Sequence, residues 1–267
     1  MGVSRQGYEN WKTRPPSQRE KHRISMEAQV KQTYETFEAR YGARRIAEEL
    51  NEMGIPCSEN FIANIMKSRG IKARNGKGFV YRRHSLTMHN VAENRLWRDF
   101  KATSPNEKWT TDITYIWVDN RWIYLATVMD LYSRRIIGWA LDESMTEDLV
   151  KRALETALAR RQTQPGLILH SDRGVQYRAQ KFIDFAQSKG IKLSMSRKGN
   201  CWDNAPMESF FSRLKVELIY AKNYQCIAEA QSGIFEYIEV FYNRKRKHSS
   251  IDYLSPVQYE ERLAKAA

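Results

Sequence analysis

Three runs of β-branched and aromatic residues in the middle of the chain constrain its fold more than any other feature. The runs read KWTTDITYIWV, RWIYLATVMDLYS and RRIIGWAL, and only Asp119-Asn120 and a break at Ser133 separate them. Separations this short favour antiparallel hairpins. A helical pattern in TEDLVKRALETALARRQ, an apolar strand LILH, a helix in AQKFIDFAQSKG and a strand in IKLSMS follow. This order predicts an α/β fold in which helices flank a mixed five-stranded sheet.

The residues before position 74 carry a different pattern, which predicts a small all-α domain. Apolar residues recur at helical spacing over 30–41, 46–53 and 61–66, and Ser58 is placed to cap the third helix. Three short helices joined by tight turns fit a helix-turn-helix unit. Its third helix would present four polar side chains to a DNA groove: Asn60, Asn64, Lys67 and Arg69. A small helical bundle that does not bind DNA is the alternative.

The chain is strongly basic, with a formal net charge of +13 and a pI near 9.6. Such a charge is unusual for a metabolic enzyme and typical of a protein that neutralises phosphates, so DNA is the expected partner. Seven basic and no acidic residues lie in 60–92, and a second basic run, RKRK, occupies 244–247. We predict further DNA contacts at Lys72, Arg74, Lys77, Lys215, Arg244, Lys245, Arg246 and Lys247. For a charge run alone, a solvated linker or tail is the alternative.

Two further features of the sequence narrow the class of protein. The chain has no run of about 18 apolar residues and no apolar signal-peptide core at its N-terminus, so we expect a soluble, cytoplasmic protein. The cysteines, Cys57, Cys201 and Cys226, are widely separated in the sequence. This spacing indicates neither a disulfide framework nor a zinc knuckle.

Three carboxylates stand in positions that suit a catalytic site. Asp112 interrupts the first strand, Asp172 follows a buried strand at its carboxyl end, and Glu208 lies one turn into a helix beside its buried face. Each has an ordinary alternative, because most strand aspartates face solvent and aspartates are common in turns. The loop GNCWDN precedes the helix of Glu208, and we expect Asp203 or Asn204 to cap the exposed helix amides.

A divalent metal is the expected partner of these carboxylates. Three carboxylates without basic partners repel one another, and a divalent cation is the usual remedy. Mg²⁺ or Mn²⁺ prefers oxygen ligands, and two such ions about 3.5 to 4 Å apart stabilise the attacking and leaving oxygens at a phosphodiester. His170 could also touch a metal or a phosphate. A histidine after an apolar strand is more often packed with satisfied nitrogens, so we leave it outside the site.

The motifs around the carboxylates resemble those of a known family. WTTDIT, HSDRGVQY and GNCWDNAPMESFFSRLKVE look like the carboxylate motifs of DDE transposases with a retroviral-integrase-like core. Between Asp172 and Glu208 lie 35 residues, the spacing of the D,D(35)E signature. The chain resembles in particular the orfB protein of the bacterial insertion-sequence-three family, from YGARRIAEELNEMGI to YNRKRKHSSIDYLSPVQYE. Ile251 departs from the leucine that is usual in that family.

The resemblance implies an RNase H-like core in which Asp112, Asp172 and Glu208 form the catalytic, metal-binding triad, with two ions. It implies a transposase that cleaves one DNA strand and joins the freed 3′-hydroxyl to a second phosphodiester. Its implied partners are the double-stranded DNA of element ends and target, an orfA product or fusion, and further copies of the chain on DNA. The implied location is the nucleoid in the bacterial cytoplasm. Two alternatives stay open: a non-catalytic helix-turn-helix regulator, and an RNase H-like nuclease that cuts without joining.

Together, the patterns and the resemblance predict five regions. They are a basic N-terminal segment (1–27), a helix-turn-helix domain (28–73), a basic linker (74–103), the RNase H-like catalytic core (104–221) and a helical, basic C-terminal extension (222–267).

Overall fold

A computed structural model of the chain describes residue 2 and residues 4–74, 90–197 and 200–264. The chain divides into two compact units, residues 1–74 and residues 75–267. Within the described ranges, no helix is both long enough and apolar enough to cross a membrane.

The first unit is all-α, as the sequence predicts. Its helices are α1 (Arg5–Thr13), α2 (Gln18–Thr36), α3 (Ala43–Glu52) and α4 (Glu59–Ser68). α2 begins ahead of the predicted boundary at residue 28, and the Ser17 hydroxyl caps it by accepting a hydrogen bond from Glu20 N at 3.2 Å. Ser58 caps α4 as predicted, by accepting from Phe61 N at 3.2 Å. The core of this unit is apolar and drawn from three helices: Val30, Ile46, Leu50 and Ile62.

The second unit contains the predicted mixed five-stranded sheet. Its strands are β1 (Lys108–Val118), β2 (Arg121–Asp130), β3 (Ile136–Asp142), β4 (Ile168–Ser171) and β5 (Lys192–Met195), in the order β3-β2-β1-β4-β5. β1 pairs with β2 and β2 with β3 in antiparallel fashion, while β4 pairs in parallel with β1 and β5. Asp119 and Asn120 both have left-handed φ angles, of 44° and 59°. These angles form the tight β1–β2 hairpin that the Asp-Asn pair predicts.

Helices cover the sheet and lead into the C-terminal extension. They are α5 (Glu147–Arg160), α6 (Gln180–Ser188), α7 (Ala205–Glu217), α8 (Ile227–Phe235) and α9 (Pro256–Ala264), with a π-helical segment at Glu236–Tyr242. α5 packs closely on β3 because Gly138 has no side chain. A Cβ at Gly138 would lie 2.3 Å from the Ala153 carbonyl oxygen and 2.8 Å from the Ala157 Cβ. The apolar core therefore continues from the sheet into α5.

The basic run RKRK is divided between surface and interior, which corrects part of its predicted role. Arg244 and Lys245 are exposed, but Arg246 and Lys247 are buried. The Arg246 guanidinium donates two hydrogen bonds to the Glu217 carboxylate of α7, at 2.7 and 3.0 Å. Arg246 therefore neutralises a buried acid and is not available to a DNA phosphate.

The C-terminal extension also covers the free edge of the sheet. The Asn243 side chain accepts a hydrogen bond from Ile136 N and donates one to Ile136 O, both at 2.9 Å. The amide thus replaces a neighbouring strand at the start of β3, where an unpaired edge would otherwise invite strand addition. Glu260 of α9 pairs with Arg135 and Arg161, each at 2.6 Å. The extension belongs to the same compact unit as the sheet.

Candidate active site

Parallel pairing of β1 with β4, two interior strands of the sheet, brings the first two carboxylates close together. Thr110 of β1 lies opposite His170 of β4, and their pairing covers only Lys108–Thr110 of β1. Asp112 and Asp172 each come two residues after that pair, Asp112 within β1 and Asp172 just beyond β4. The carboxylates therefore emerge where the two strands diverge, next to the carboxyl end of β4.

Asp112 lies at the electrostatic centre of the site. Its Oδ1 accepts a hydrogen bond from Ile113 N at 2.8 Å. Burial and then the negative charge of Asp172 raise the pKa of Asp112 well above its usual value, and the charge of Glu208 raises this pKa further. Lys215 acts in the opposite direction on the same pKa. The charges of both other carboxylates of the predicted triad therefore affect the protonation of Asp112.

Asp172 is held by the turn that follows β4. Its Oδ1 accepts a hydrogen bond from Gly174 N at 2.9 Å, and burial raises the pKa of this carboxyl group. A Cβ at Gly174 would lie only 3.0 Å from Asp172 Oδ1 and 3.1 Å from Gln176 Oε1. Glycine therefore allows the backbone amide to approach the carboxylate.

Glu208 lies in the first turn of α7 and is exposed. Desolvation of its carboxylate raises its pKa. Among the residues that the structure describes, no hydrogen-bond donor or cation pairs with this carboxylate. Its oxygens are therefore open to a ligand from solution.

Two consecutive side chains before α7, Asp203 and Asn204, position this helix. The Asn204 Oδ1 accepts a short hydrogen bond of 2.5 Å from Thr110 Oγ1, and its Nδ2 donates to Thr111 O at 3.4 Å. The buried Asp203 carboxylate accepts hydrogen bonds from Arg98 Nε at 2.8 Å and from Arg197 Nη2 at 2.9 Å. The Arg197 guanidinium holds the pKa of Asp203 well below its usual range.

These bonds correct the predicted helix cap. Asn204 occupies the N-cap position of α7 without a side-chain hydrogen bond to the helix. Its amide is engaged by β1, and the Asp203 carboxylate is engaged by two arginines. The predicted cap residues instead fasten the helix of Glu208 to the strand of Asp112.

A second connection joins the Asp172 turn to β1. The Thr111 hydroxyl and the Tyr177 hydroxyl lie 3.2 Å apart in a buried hydrogen bond. Burial raises the pKa of Tyr177 well above its usual value, and the charges of Asp112 and Asp172 raise it further. Sequence reasoning did not identify Thr111 or Tyr177, although both lie in the motifs WTTDIT and HSDRGVQY.

Lys215 and His170 differ in their relation to the carboxylates. Lys215 is buried on α7, with its Nζ 4.6 Å from the centre of the Tyr115 ring, and burial lowers its pKa while the charge of Asp112 raises it. His170 is fully buried, with Nδ1 2.8 Å from Ser194 Oγ and Nε2 3.1 Å from Ser196 Oγ. Burial lowers the pKa of His170 to about 4. The expectation of a packed, satisfied histidine is confirmed.

The donor set fits a hard divalent cation. Asp112, Asp172 and Glu208 offer carboxylate oxygens, and their raised pKa values reflect desolvation that a bound cation would compensate. Within the described part of the chain, however, no three acidic, histidine or cysteine side chains are close enough to enclose a metal. The three carboxylates are therefore close enough for the charges of Asp172 and Glu208 to affect Asp112, but they do not form a complete set of metal ligands in this structure.

The predicted DNA contacts of the first unit differ in accessibility. Asn60, Asn64 and Lys67 are exposed on α4. Arg69 is exposed at the end of α4, where its guanidinium forms an ion pair with Glu27. Of the remaining predicted contacts, Lys72 is exposed, Arg74 is half-buried and Lys77 lies outside the described residues.

Family models match three stretches of the chain. A model described as HTH-like domain matches residues 20–78, and two models described as integrase core domain match residues 102–201 and 208–263. The 31 kDa protein of insertion element IS600 from Shigella sonnei is 40% identical, over 100% of this chain and 98% of that protein. The transposase InsF for insertion sequence IS3A from Escherichia coli (strain K12) is 39% identical, over 98% of this chain and 92% of that protein.

A solved structure can also be superimposed on the chain. It is the HTLV-2 integrase catalytic core domain in complex with magnesium, with a TM-score of 0.45 and 17% sequence identity. The match covers 59% of this chain and 98% of that domain.

The connection between Asn204 and Thr110 predicts coupled effects on stability. We expect Asn204→Ala and Thr110→Val each to lower the free energy of unfolding by about 1 to 3 kcal/mol, because each breaks the short buried hydrogen bond between these two side chains. The double variant should lose less than the sum, by about 0.5 to 3 kcal/mol. Denaturant unfolding of all four proteins measures this coupling.

Thr156→Val, on α5 and away from this connection, provides the matched control. Its hydroxyl donates to Arg152 O at 2.9 Å within its own helix. Combined with Asn204→Ala, it should give additive losses. Additive losses in the Thr110–Asn204 pair would show that the short contact does not hold α7 to β1.

Proposed function

Since the chain belongs to the insertion-sequence transposases of the IS3 family, with integrase core domains, we propose that Asp112, Asp172 and Glu208 carry its DNA strand cleavage and strand transfer. The observation that supports this assignment is the electrostatic effect of Asp172 and Glu208 on Asp112. The charges of Asp172 and Glu208 both raise the pKa of Asp112, although the three residues come from different elements. Such a cluster of like charges is costly without a bound cation.

The proposed cofactor is Mg²⁺ or Mn²⁺, as two ions held by Asp112, Asp172 and Glu208. When bound, such ions would polarise a phosphodiester and lower the pKa of a water nucleophile. The chain contributes oxygen ligands whose positions are fixed by backbone amides. Ile113 N holds one oxygen of Asp112, and Gly174 N holds one oxygen of Asp172. The second oxygen of each carboxylate remains for coordination.

Lys215 is the proposed cation of the site. It is buried on the helix of Glu208 and offsets part of the charge that Asp112 experiences. Although Lys215 is buried, its positive charge would attract a phosphate at the carboxylates, so it remains a proposed DNA contact by charge and not by an exposed hydrogen bond. Because burial lowers its pKa, a bound phosphate would favour the charged form of this lysine.

Double-stranded DNA is the proposed partner of the first unit. Its HTH-like domain presents Asn60, Asn64 and Lys67 on the exposed side of α4, and these side chains suit base edges and phosphates. Lys72, Arg74 and Lys77 are proposed to add phosphate contacts, as are Arg244 and Lys245 in the second unit. Because DNA is the substrate, the proposed place of action is the nucleoid in the bacterial cytoplasm. Several copies of the chain are proposed to assemble on the DNA.

Neutral isosteres at the triad test the catalytic assignment. Asp112→Asn, Asp172→Asn and Glu208→Gln should each lower Mg²⁺-dependent cleavage of end DNA by more than about 100-fold, because the loss of a ligand exceeds the 10- to 100-fold cost of losing its outer-shell partner. DNA binding should remain near normal, since side-chain shape is kept. Gel assays of cleavage and joining, with a parallel binding assay, measure both.

Asp184→Asn, on the exposed surface of α6, is the control for this series. It should cleave like the wild-type protein. Near-normal cleavage by one of the three triad variants would remove that residue from the assignment. Cleavage by the wild-type protein in the presence of a chelator would exclude the proposed metal.

The salt dependence of binding tests the DNA contacts of α4. We expect a fragment ending near residue 100 to bind duplex DNA with an affinity that falls steeply with salt, because phosphate contacts release counterions. In the full chain, Lys67→Ala should reduce the slope of log K against log salt by about 1. Lys31→Ala, an exposed lysine of α2, is the matched control and should leave the slope unchanged. Salt-insensitive binding would contradict a phosphate-contacting role.

The orfA product is the proposed protein partner, on the basis of the family resemblance. We expect the isolated chain to cleave and join DNA weakly and with poor end selectivity, and its fusion to orfA to restore both activities. The two proteins can be compared on specific and scrambled end DNA. Equal activity and equal selectivity would show that the chain needs no such partner.

A further inference from the structure

An exposed tryptophan stands in a strained turn beside the catalytic helix. Trp97 and Arg98 have φ angles of 47° and 64°, a left-handed conformation that bulky side chains rarely adopt. The Asn94 side chain holds this turn, because its Oδ1 accepts hydrogen bonds from Leu96 N at 3.1 Å and from Trp97 N at 2.9 Å. Although the backbone of this turn is held in place, 63% of the Trp97 residue is exposed to solvent. Backbone strain that the surroundings maintain often marks a functional position.

The turn is fastened to the start of α7 through the buried Asp203 carboxylate. Asn94 Nδ2 donates to Asp203 Oδ2 at 3.1 Å, and Arg98 Nε donates to Asp203 Oδ1 at 2.8 Å. Asp203 is followed by Asn204, which bonds to β1 two residues before Asp112. Trp97 is therefore held rigidly to the elements that carry the catalytic carboxylates.

The chemistry of this surface suits a nucleobase. The Arg197 guanidinium lies over the Trp97 ring, 5.5 Å from its centre, in a cation–π contact. Trp202, in the turn before α7, is a second aromatic side chain and is 68% exposed. Arg95, Arg98 and Arg197 keep 42% to 47% of their side chains exposed, against the acidic partners Glu93 and Asp203. Aromatic rings among exposed arginines bind single-stranded nucleic acid by stacking and by charge.

Building on the function proposed above, we propose that Trp97, paired with Arg197 and accompanied by Trp202, stacks on an unpaired base of the DNA substrate next to the phosphodiester under attack. In a paired duplex, stacking shields the faces of the bases. The phosphates of such a duplex could contact the arginines, but its bases could not stack on the tryptophan rings. An unpaired nucleotide at a DNA end can place its base against Trp97 while the arginines contact the backbone. The surface would thus position the strand that enters the catalytic site.

Two DNA probes test this inference in the full chain. One is a short duplex with a few unpaired nucleotides at one end, the first of which is 2-aminopurine, and the other is the same duplex fully paired. In EDTA, so that no strand is cut, the wild-type protein should bind the partly unpaired probe at least about fivefold more tightly and quench its fluorescence. Trp97→Ala should lose the preference and the quenching, whereas Trp97→Phe should keep part of both.

Tyr220→Ala is the matched control, since Tyr220 is an aromatic residue of similar exposure, 61%, in another turn of the same unit. It should bind both probes like the wild-type protein. A preference and a quenching signal that survive in Trp97→Ala, or their absence in the wild-type protein, would overturn the inference. Thermal unfolding of each variant shows whether a loss reflects misfolding, and Trp97→Phe then decides the outcome.

Cleavage in Mg²⁺ separates this inference from the proposed function. The wild-type protein and Trp97→Ala are compared for cleavage and joining on both probes. If Trp97→Ala matches the wild-type protein on each probe, the stacking role of Trp97 is excluded and the catalytic assignment stands. If Asp112→Asn, Asp172→Asn and Glu208→Gln cleave end DNA as well as the wild-type protein does, the catalytic assignment fails while the fluorescence result still decides the stacking role.

Discussion

The position of the third carboxylate depends on two adjacent side chains, Asp203 and Asn204. The Asn204 side chain accepts a hydrogen bond from Thr110 of β1. The buried Asp203 carboxylate accepts hydrogen bonds from Asn94, Arg98 and Arg197. Each set of bonds joins segments that are about a hundred residues apart in the chain. The far end of α7 is held by the Glu217–Arg246 ion pair, whereas the end that carries Glu208 is held by Asp203, Asn204 and the apolar side of the helix. These bonds therefore determine where Glu208 points.

The site concentrates negative charge where solvent cannot fully stabilise it. Burial alone would raise the proton affinity of Asp112, and the proximity of Asp172 and Glu208 raises it further. Lys215 limits this cost by supplying a partly compensating charge. His170 supplies none, because burial lowers its pKa to about 4 and keeps the ring neutral at physiological pH. A bound divalent cation would offset the negative charge that remains.

Several features that look similar in the sequence have different roles in the structure. Within RKRK, Arg244 and Lys245 are exposed, while Arg246 is buried against Glu217 and Tyr237 lies within 2.8 Å of the same carboxylate. Asp203 looks like a helix cap but serves as the acceptor for two arginines. In both cases the local pattern is compatible with either role. The choice depends on which groups the fold brings into contact, because a buried charge requires a partner and an exposed one does not.

The sequence by itself determined the local elements and the identity of the candidate carboxylates. Runs of β-branched and aromatic residues, the Asp119-Asn120 turn and helical spacing predicted the mixed five-stranded sheet and the all-α first unit, because these signals act over a few residues. The motifs around Asp112, Asp172 and Glu208 identified the family without knowledge of their contacts. Only the tertiary structure decided the β1–β4 register, the attachment of α7 through Asn204 and the burial of Arg246 and Lys215. These features depend on hydrogen bonds and packing between segments far apart in the chain, whose partners no local pattern specifies.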